Sequence, residues 1–428
     1  MEKKQNYTIP IIVMILLFGM ISFVTNLASP MGDILKNQFN IPNWQGTLGV
    51  FANFIAYAVM GIPAGNLLQK KGYKKTALVA VTVGFIGVGI QTLSGVWGSF
   101  GVYLLGAFVA GFSMCLLNTV VNPMLNKLGG GGNKGNQLIQ IGGTFNSLCG
   151  TAVIIITGLL IPSIVDAKIS DVFPLMYAAL GIFALGFLVI LLTKIPENEK
   201  QTVAQVKGGK GPMAFRHFVL GAIAIFIYVG VEVGIPNILN KWLQNPELNV
   251  LGSGVNAEAV AGSVAATYWF MMLIGRLVGG IIGNKVSAKA MLTVVSLVGI
   301  ILTLLAMFGP QTMMKFPAFN GAKGFGLENI PLNAAFLVCI GLCTSVMWGG
   351  IFNLAVEGLG KYTEKASGIF MALVCGGGIL PLLQNAIVDG LGGTGYLQSY
   401  WVIVAGLAFL LFYALWGSKN VNKDIVVD

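Results

Sequence analysis

The chain has 428 residues, of which 56% are hydrophobic and 9% charged. A water-soluble protein of that length needs far more polar surface to cover its core, which excludes the two or three soluble domains that length alone suggests. The net charge of +10 is of the kind that accompanies nucleic-acid binding, but the placement of the cations explains it better through the positive-inside rule and leaves no nucleic acid to bind.

A membrane span takes about 20 apolar residues. Twelve such runs follow one another, at about 9–31, 45–68, 76–95, 100–126, 138–163, 173–193, 216–240, 258–283, 290–308, 332–356, 366–387 and 397–416. The fold class is therefore an all-α membrane protein of twelve transmembrane helices. Span one lacks the small-residue cleavage site of a secretory signal and is expected to stay. It carries Asn26 and, three residues after Pro30, Asp33. Asp33 is either a solvated carboxylate at the outer mouth or a functional acid, because an ionisable group inside the bilayer is expensive and by default suggests function.

Span two carries Asn53 and leads into Gly61-Ile-Pro-Ala-Gly65-Asn-Leu-Leu-Gln-Lys70-Lys-Gly72-Tyr-Lys-Lys75. The spacing predicts a tight turn at Gly72 with cations beside a helix C-terminus and the cytoplasmic face. Span four carries Asn118 and Asn122. The tract Gly129 to Asn136 then contains Gly130, Gly132 and Gly135 in the Gly-x-Gly-x-x-Gly spacing of dinucleotide sites. That motif needs a strand before it; here a membrane span precedes it, and the tract reads as a flexible loop. Span five carries Gln140 and Asn146.

The segment Lys194 to Arg216, with its charges, Gly and Pro and no apolar period, reads as a linker. The expected divisions are a six-helix half at 1–195, a cytoplasmic linker at 196–215 and a second six-helix half at 216–428. With both termini inside, nineteen Lys and Arg lie in inner loops and five in outer ones, with Arg276 left within a span. Two six-span halves on an inner linker are the layout of a major facilitator carrier, whose solute site lies near mid-membrane between the halves.

In the second half, span seven carries Tyr228, Glu232 and Asn237. Glu232 lies about fourteen residues into the span, close to mid-membrane at 1.5 Å per residue; it is either a ligand or a structural partner for a polar neighbour. Span eight carries Gly275-Arg-Leu-Val-Gly279, small residues that let helices approach closely. Its Arg276 either snorkels to the inner face or works inside. Span ten carries Trp348 and Asn353, and span eleven Gln384 and Asn385. Glu357 and Asp389 read as boundary residues.

Ten amides in an apolar bundle exceed what helix packing needs. Asn and Gln both donate and accept, which suits the hydroxyls of a sugar, and Tyr228 and Trp348 could stack on its apolar face. The five cysteines lie in apolar runs without zinc spacing, and His217 is the only histidine, at the start of span seven. No phosphate-loop motif is present, so ATP-driven pumping has no signature. A polytopic membrane enzyme or receptor is the weakest class, since an enzyme would want a catalytic His, paired carboxylates or metal ligands.

The run Cys115-Leu-Leu-Asn-Thr-Val-Val-Asn-Pro123, then Gln140 to Ser147 with Thr-Phe-Asn-Ser, resembles the fucose:proton symporter family of the major facilitators. So do Tyr228-Val-Gly-Val-Glu232, Gly275-Arg276, Cys375-Gly-Gly-Gly-Ile-Leu-Pro381 and the Asn26 to Leu35 run. The loop at Gly61 to Lys75 resembles the wider superfamily's loop motif, with Gln69 where Asp is usual. The resemblance implies proton-coupled import of a sugar such as fucose, glucose or galactose. Asp33 matches the proton-coupling acid of span one. Asn118 stands where the family has a second acid, and Gly143 where it has a span-five Gln; these departures also leave room for an anionic sugar acid met by Arg276.

The reading is a secondary carrier working by alternating access. Its expected proton-coupling residues are Asp33 and Glu232. Its expected solute site is Asn26, Asn53, Asn118, Asn122, Gln140, Asn146, Tyr228, Glu232, Asn237, Trp348 and Asn353. Either Glu232 has replaced the missing second acid, or one carboxylate suffices and Asn118 binds solute. The second is expected, since an amide meets hydroxyls without the cost of a buried unpaired charge. No cofactor, metal or enzymatic activity is expected. The partners are a sugar, protons and the bilayer of a bacterial inner membrane, with a monomeric chain and both termini cytoplasmic. Export or facilitated passage of a non-sugar metabolite is the alternative.

Overall fold

The computed structural model describes residues 7–39, 48–160, 168–197, 211–310, 312–422 and 425; within them, the side chains of 28–30, 32–33, 36–37, 154–155, 158–160 and 322 are not described. Two compact units result: Met1–Val219 with Val356–Cys375 and Asn420–Asp428, and Leu220–Ala355 with Gly376–Lys419.

The first unit opens with α1 (Thr8–Phe39) and α2 (Leu48–Trp97), followed by α3 (Phe100–Leu128), α4 (Gly132–Leu160) and α5 (Phe173–Leu192). Helix α2 holds both the second and the third expected span. Its break is the expected turn: Gly72 sits at φ 78, ψ 176, a region closed to residues with a Cβ. The turn exposes the amides that begin the next helix. The backbone N–H groups of Tyr73 and Lys74 donate to the two carboxylate oxygens of Glu197, both at 2.8 Å. The Lys74 ammonium donates to the carbonyls of Leu191 at 2.7 Å and Thr193 at 2.9 Å, at the C-terminus of α5. Anion on a helix N-terminus and cation on a C-terminus both follow the helix dipole.

The glycine tract after α3 is more ordered than a flexible loop. Gly130, Gly131 and Gly132 take positive φ in a tight turn, and α4 begins at Gly132, so Lys134 and Asn136 are already helical. Three glycines at positive φ reverse the chain within a few residues, which a flexible eight-residue loop would not need. Later in the chain, α11 (Thr363–Ala372) returns to this unit and crosses α2 at glycines. A Cβ built on Gly65 would stand 2.9 Å from Cα of Gly368. Small residues are what let two backbones approach so closely.

The second unit contains most of α6 (Arg216–Gln244), then α7 (Ala257–Ile282) and α8 (Ala288–Phe308). Helix α6 runs from the near end, where the linker joins it, to the far end. Asn256 caps α7 by accepting from the Ala259 amide at 3.0 Å, and Ser287 caps α8 by accepting from Ala290 at 3.1 Å. Beyond α8 an antiparallel hairpin, β1 (Met313–Phe319) and β2 (Phe325–Pro331), interrupts the helical order at the far end. The expected tenth span is two helices, α9 (Leu332–Thr344) and α10 (Met347–Val356), parted at Ser345 and Val346. The eleventh is α11 and α12 (Gly376–Leu391), joined by a 3-10 turn at Leu373–Cys375. The chain closes through α13 (Gly395–Gln398) and α14 (Trp401–Phe412), which widens into a π turn, Tyr413–Gly417.

Nine stretches among the described residues are long and apolar enough to cross a membrane. Leu48–Trp97 counts once among them but holds two spans; Gly132–Leu160 and the shorter Trp401–Gly417 complete the twelve that the apolar runs predicted. The protein is an integral, multi-pass membrane protein.

Candidate solute-binding site

In the first unit, the sequence-predicted amides lie on α1, α2, α3 and α4. Asn118 bonds both within its own helix and to a neighbouring one. Its amide donates to the Tyr57 hydroxyl at 2.7 Å and to the Met114 carbonyl at 3.2 Å. One turn on, the Asn122 amide donates to the Asn118 carbonyl at 2.8 Å and reaches its side-chain oxygen at 3.4 Å. Asn118, Asn122 and Tyr57 thus form one buried polar cluster between α2 and α3. Tyr57 is absent from the sequence-predicted set, although it lies four residues after Asn53 and so on the same helix face.

The other amides of this unit fall into separate places. Asn53 lies beside Gly111, where a Cβ would meet its side-chain oxygen at 3.1 Å. Asn26 donates to the carbonyl and hydroxyl of Ser22, both at 2.9 Å, facing Gly150 of α4. Asn146 donates to the Phe18 carbonyl at 2.8 Å and so clamps α4 to α1. Gln140 is buried in α4. Asn26, Asn53 and Asn146 keep partial exposure, which a direct ligand needs. Asn122 and Gln140 are buried and fit a supporting role. Asp33 belongs to α1, and its side chain lies outside the described residues.

In the second unit, α6 presents Tyr228 and Glu232 one turn apart, on one face. Glu232 Oε1 lies 3.2 Å from Arg276 Nη2, with the two side chains 12% and 13% exposed. Arg276 therefore turns inward to a carboxylate, and the snorkelling reading is set aside. Gly275 makes this possible: a Cβ there would collide with Ser345, so α7 and α9 approach at that point. Arg276 Nε also donates to the Ser345 carbonyl at 3.3 Å, where the tenth span breaks and carbonyls lose their helical donors. The Tyr268 and Thr344 hydroxyls share a hydrogen bond of 2.9 Å just before the same break.

Just past the break, Trp348 meets Tyr228 edge-on, ring centroids 6.4 Å apart at 63°. Trp348 is partly exposed and Tyr228 fully buried, so the indole offers the stacking surface and the phenol backs it. Asn237 joins a second chain of polar groups further along α6. Its side-chain oxygen accepts from the Asn385 amide at 3.3 Å, and Asn385 in turn accepts from the Lys241 ammonium at 2.7 Å. Asn353 is buried in α10. The unit thus brings Tyr228, Glu232, Arg276 and Trp348 together and leaves Asn237 with Asn385 and Lys241. Among the described residues no group of His, Cys, Asp and Glu is placed to hold a metal ion.

The model of the Major Facilitator Superfamily matches residues 11–382. The chain is 28% identical over 426 residues to a glucose/galactose transporter of Brucella abortus biovar 1 (strain 9-941), covering 98% of this chain and 96% of the relative. It is 24% identical over 420 residues to the L-fucose-proton symporter of Escherichia coli (strain K12), covering 91% and 89%. Among solved structures, a Major Facilitator Superfamily transporter, FucP, in the outward conformation superimposes with a TM-score of 0.79 at 19% identity, over 97% of this chain and all of that one. The twelve helices are the fold of that transporter, and the chain belongs to the Major Facilitator Superfamily.

Proposed function

We propose that the protein is a secondary active carrier, not an enzyme, that imports a neutral monosaccharide of the glucose, galactose or fucose type together with protons. The observation that carries the reading is the Glu232–Arg276 pair. An arginine free in the bilayer would recruit an anion, but this one already faces a carboxylate at 3.2 Å. The groups left to meet a solute are amides and an indole, which suit hydroxyls and the apolar face of a pyranose. The names of the curated relatives, a glucose/galactose transporter and an L-fucose-proton symporter, support the same class.

The two six-helix halves, 1–195 and 216–428, joined by the 196–215 linker, alternate access to one polar cavity, and the solute acts by preferring the occluded state. Asp33 carries the proton. Asn118, in place of a second acid, binds solute, and Glu232 contributes to the solute site through its pair with Arg276. The cation distribution puts the linker and both termini on the cytoplasmic side of a bacterial inner membrane, with the chain a monomer. A cysteine placed at Gly208 should then resist impermeant thiol reagents in intact cells, and labelling from outside contradicts that orientation.

The test of the substrate class is thermal stabilisation of purified protein by a panel of solutes. Neutral hexoses should raise the melting temperature in a saturable way, because a ligand that binds only the folded state stabilises it by mass action. Stabilisation by sugar acids or non-sugar metabolites, with none by neutral hexoses, overturns the assignment.

A further inference from the structure

The hairpin between α8 and α9 turns an apolar face outward, which a loop in water does not. Its register pairs Met313 with Pro331, Lys315 with Asn329, Pro317 with Leu327 and Phe319 with Phe325. Side chains alternate across a strand, so Met313, Lys315, Pro317, Phe319, Phe325, Leu327 and Asn329 share one face with the buried Pro331, and those seven are exposed. Five of the seven are apolar. Phe325 is 81% and Leu327 63% exposed, and the Phe319 and Phe325 rings stand 5.4 Å apart at the tip. The opposite face carries Met314, Phe316, Gly326 and Glu328 with the buried Ala318 and Ile330, so the hairpin is largely apolar on both faces. An antiparallel sheet with one face in water carries mainly polar residues on that face, and this one does not.

The position of the hairpin explains the apolar outer face. It is tied down rather than projecting from the far end. The Phe319 amide donates to the Ser263 hydroxyl at 3.0 Å, the Asn256 amide to Asn320 Oδ1 at 3.0 Å, and the Lys323 ammonium to the Gly254 carbonyl at 2.9 Å. Asn320 itself donates to Glu328 at 2.8 Å. Ser263 lies inside α7, nineteen residues before Ile282 at its near end (263 to 282). At 1.5 Å per residue that is about 29 Å, close to the ~30 Å thickness of the hydrocarbon core. The Phe319 backbone is therefore fastened at the depth where the acyl chains end. Next to it, at the far end of α8, Phe308 and Trp401 form an exposed aromatic pair with ring centroids 5.9 Å apart, the kind of pair that marks a membrane interface.

We propose that the exposed face of the Met313–Pro331 hairpin lies in the head-group boundary of the far-end leaflet, with Phe319, Phe325 and Leu327 turned to the acyl chains. Lys315, the one charge on that face, lays its stem along the same surface and its ammonium among lipid phosphates. The exposed apolar stripe of α8, Val294, Leu297, Ile301 and Leu305, ends at Phe308, five residues before the hairpin begins at Met313. It anchors the α8–α9 connection to the membrane surface.

The proposal rests on the chain's spanning a bilayer, and the experiment separates the two. The five native cysteines are replaced by alanine, and a nitroxide is attached to Phe325→Cys, Leu327→Cys, Val294→Cys or Glu247→Cys in protein reconstituted into phosphatidylcholine vesicles. Collision with oxygen, which partitions into lipid, is compared with collision with a water-soluble nickel chelate. Position 294 on α8 should favour oxygen and position 247 in the α6–α7 loop should favour nickel. Positions 325 and 327 should side with 294. If they side with 247, the face is in water and the proposal fails. If they are shielded from both reagents, another protein surface covers them and it fails equally. If 294 itself favours nickel, the membrane-spanning reading fails. The two hairpin positions sit on one face, so a folding defect in either variant leaves the other to decide.

Discussion

Asn118 holds the Tyr57 hydroxyl at 2.7 Å and the Asn122 amide holds Asn118, so one side chain both binds and is braced. Replacing it with alanine removes a donor and an acceptor without leaving a charge behind. Asn118→Ala should weaken solute binding about tenfold, the ~1.4 kcal/mol of one good hydrogen bond, and leave the pH dependence of uptake unchanged; titration calorimetry and uptake at several pH values read the two parts. A flattened pH profile would make Asn118 part of the coupling. The Glu232–Arg276 pair behaves differently, because removing one member strands the other. Arg276→Ala should cost about 3–5 kcal/mol of stability, while Glu232→Gln with Arg276→Met should recover most of it, as read by thermal melts in detergent. An unaltered melt for Arg276→Ala would mean the pair is not closed as described. Sequence marked both residues as costly inside a bilayer but left their pairing open. They lie 44 positions apart on different helices, and no spacing rule connects them. Tyr57 was missed because its partner Asn118 lies 61 positions away on another helix, and no spacing rule connects them.

At the scale of elements, the apolar runs were legible because a bilayer demands about 20 residues from every crossing. The Gly72 turn was legible because glycine there is followed by cations at a helix end. What caps it was not. Glu197 is 124 residues from Tyr73 in the chain, and an acid inside the expected 196–215 linker, two residues before Glu199, reads as a solvated charge. The same lack of a local signal hid the break in the tenth span, which is held from outside by Arg276 and Tyr268, and the hairpin, whose strands look like an ordinary polar-apolar loop. Gly72→Ala tests the turn. The residue sits at φ 78, and its new Cβ would press on the Glu197 carboxylate carbon at 2.8 Å. Strain of about 1–3 kcal/mol at a φ and ψ reserved for glycine plus the lost cap should lower the melting temperature by several degrees. Glu197→Ala should lower it less, because the backbone conformation survives. Equal effects would place the cost in the cap alone.

At the scale of the whole molecule, composition, cation placement and twelve apolar runs sufficed for the fold, because membrane burial constrains every span separately. The solute site was legible only as a set of amides and aromatics, since which of them converge depends on helix rotation, and rotation is fixed by small residues such as Gly275 and Gly150. Coupling is a property of the whole cycle. A carboxylate drives accumulation only if it takes a proton in one access state and gives it up in the other, and Asp33 is the acid assigned to that task. The most direct measurement is uptake of labelled galactose into sealed proteoliposomes under an inward proton gradient. The account predicts accumulation above the bath concentration that a protonophore abolishes, and an Asp33→Asn variant that exchanges labelled for unlabelled sugar without accumulating it. Accumulation that survives the protonophore, or that persists in Asp33→Asn, would contradict it.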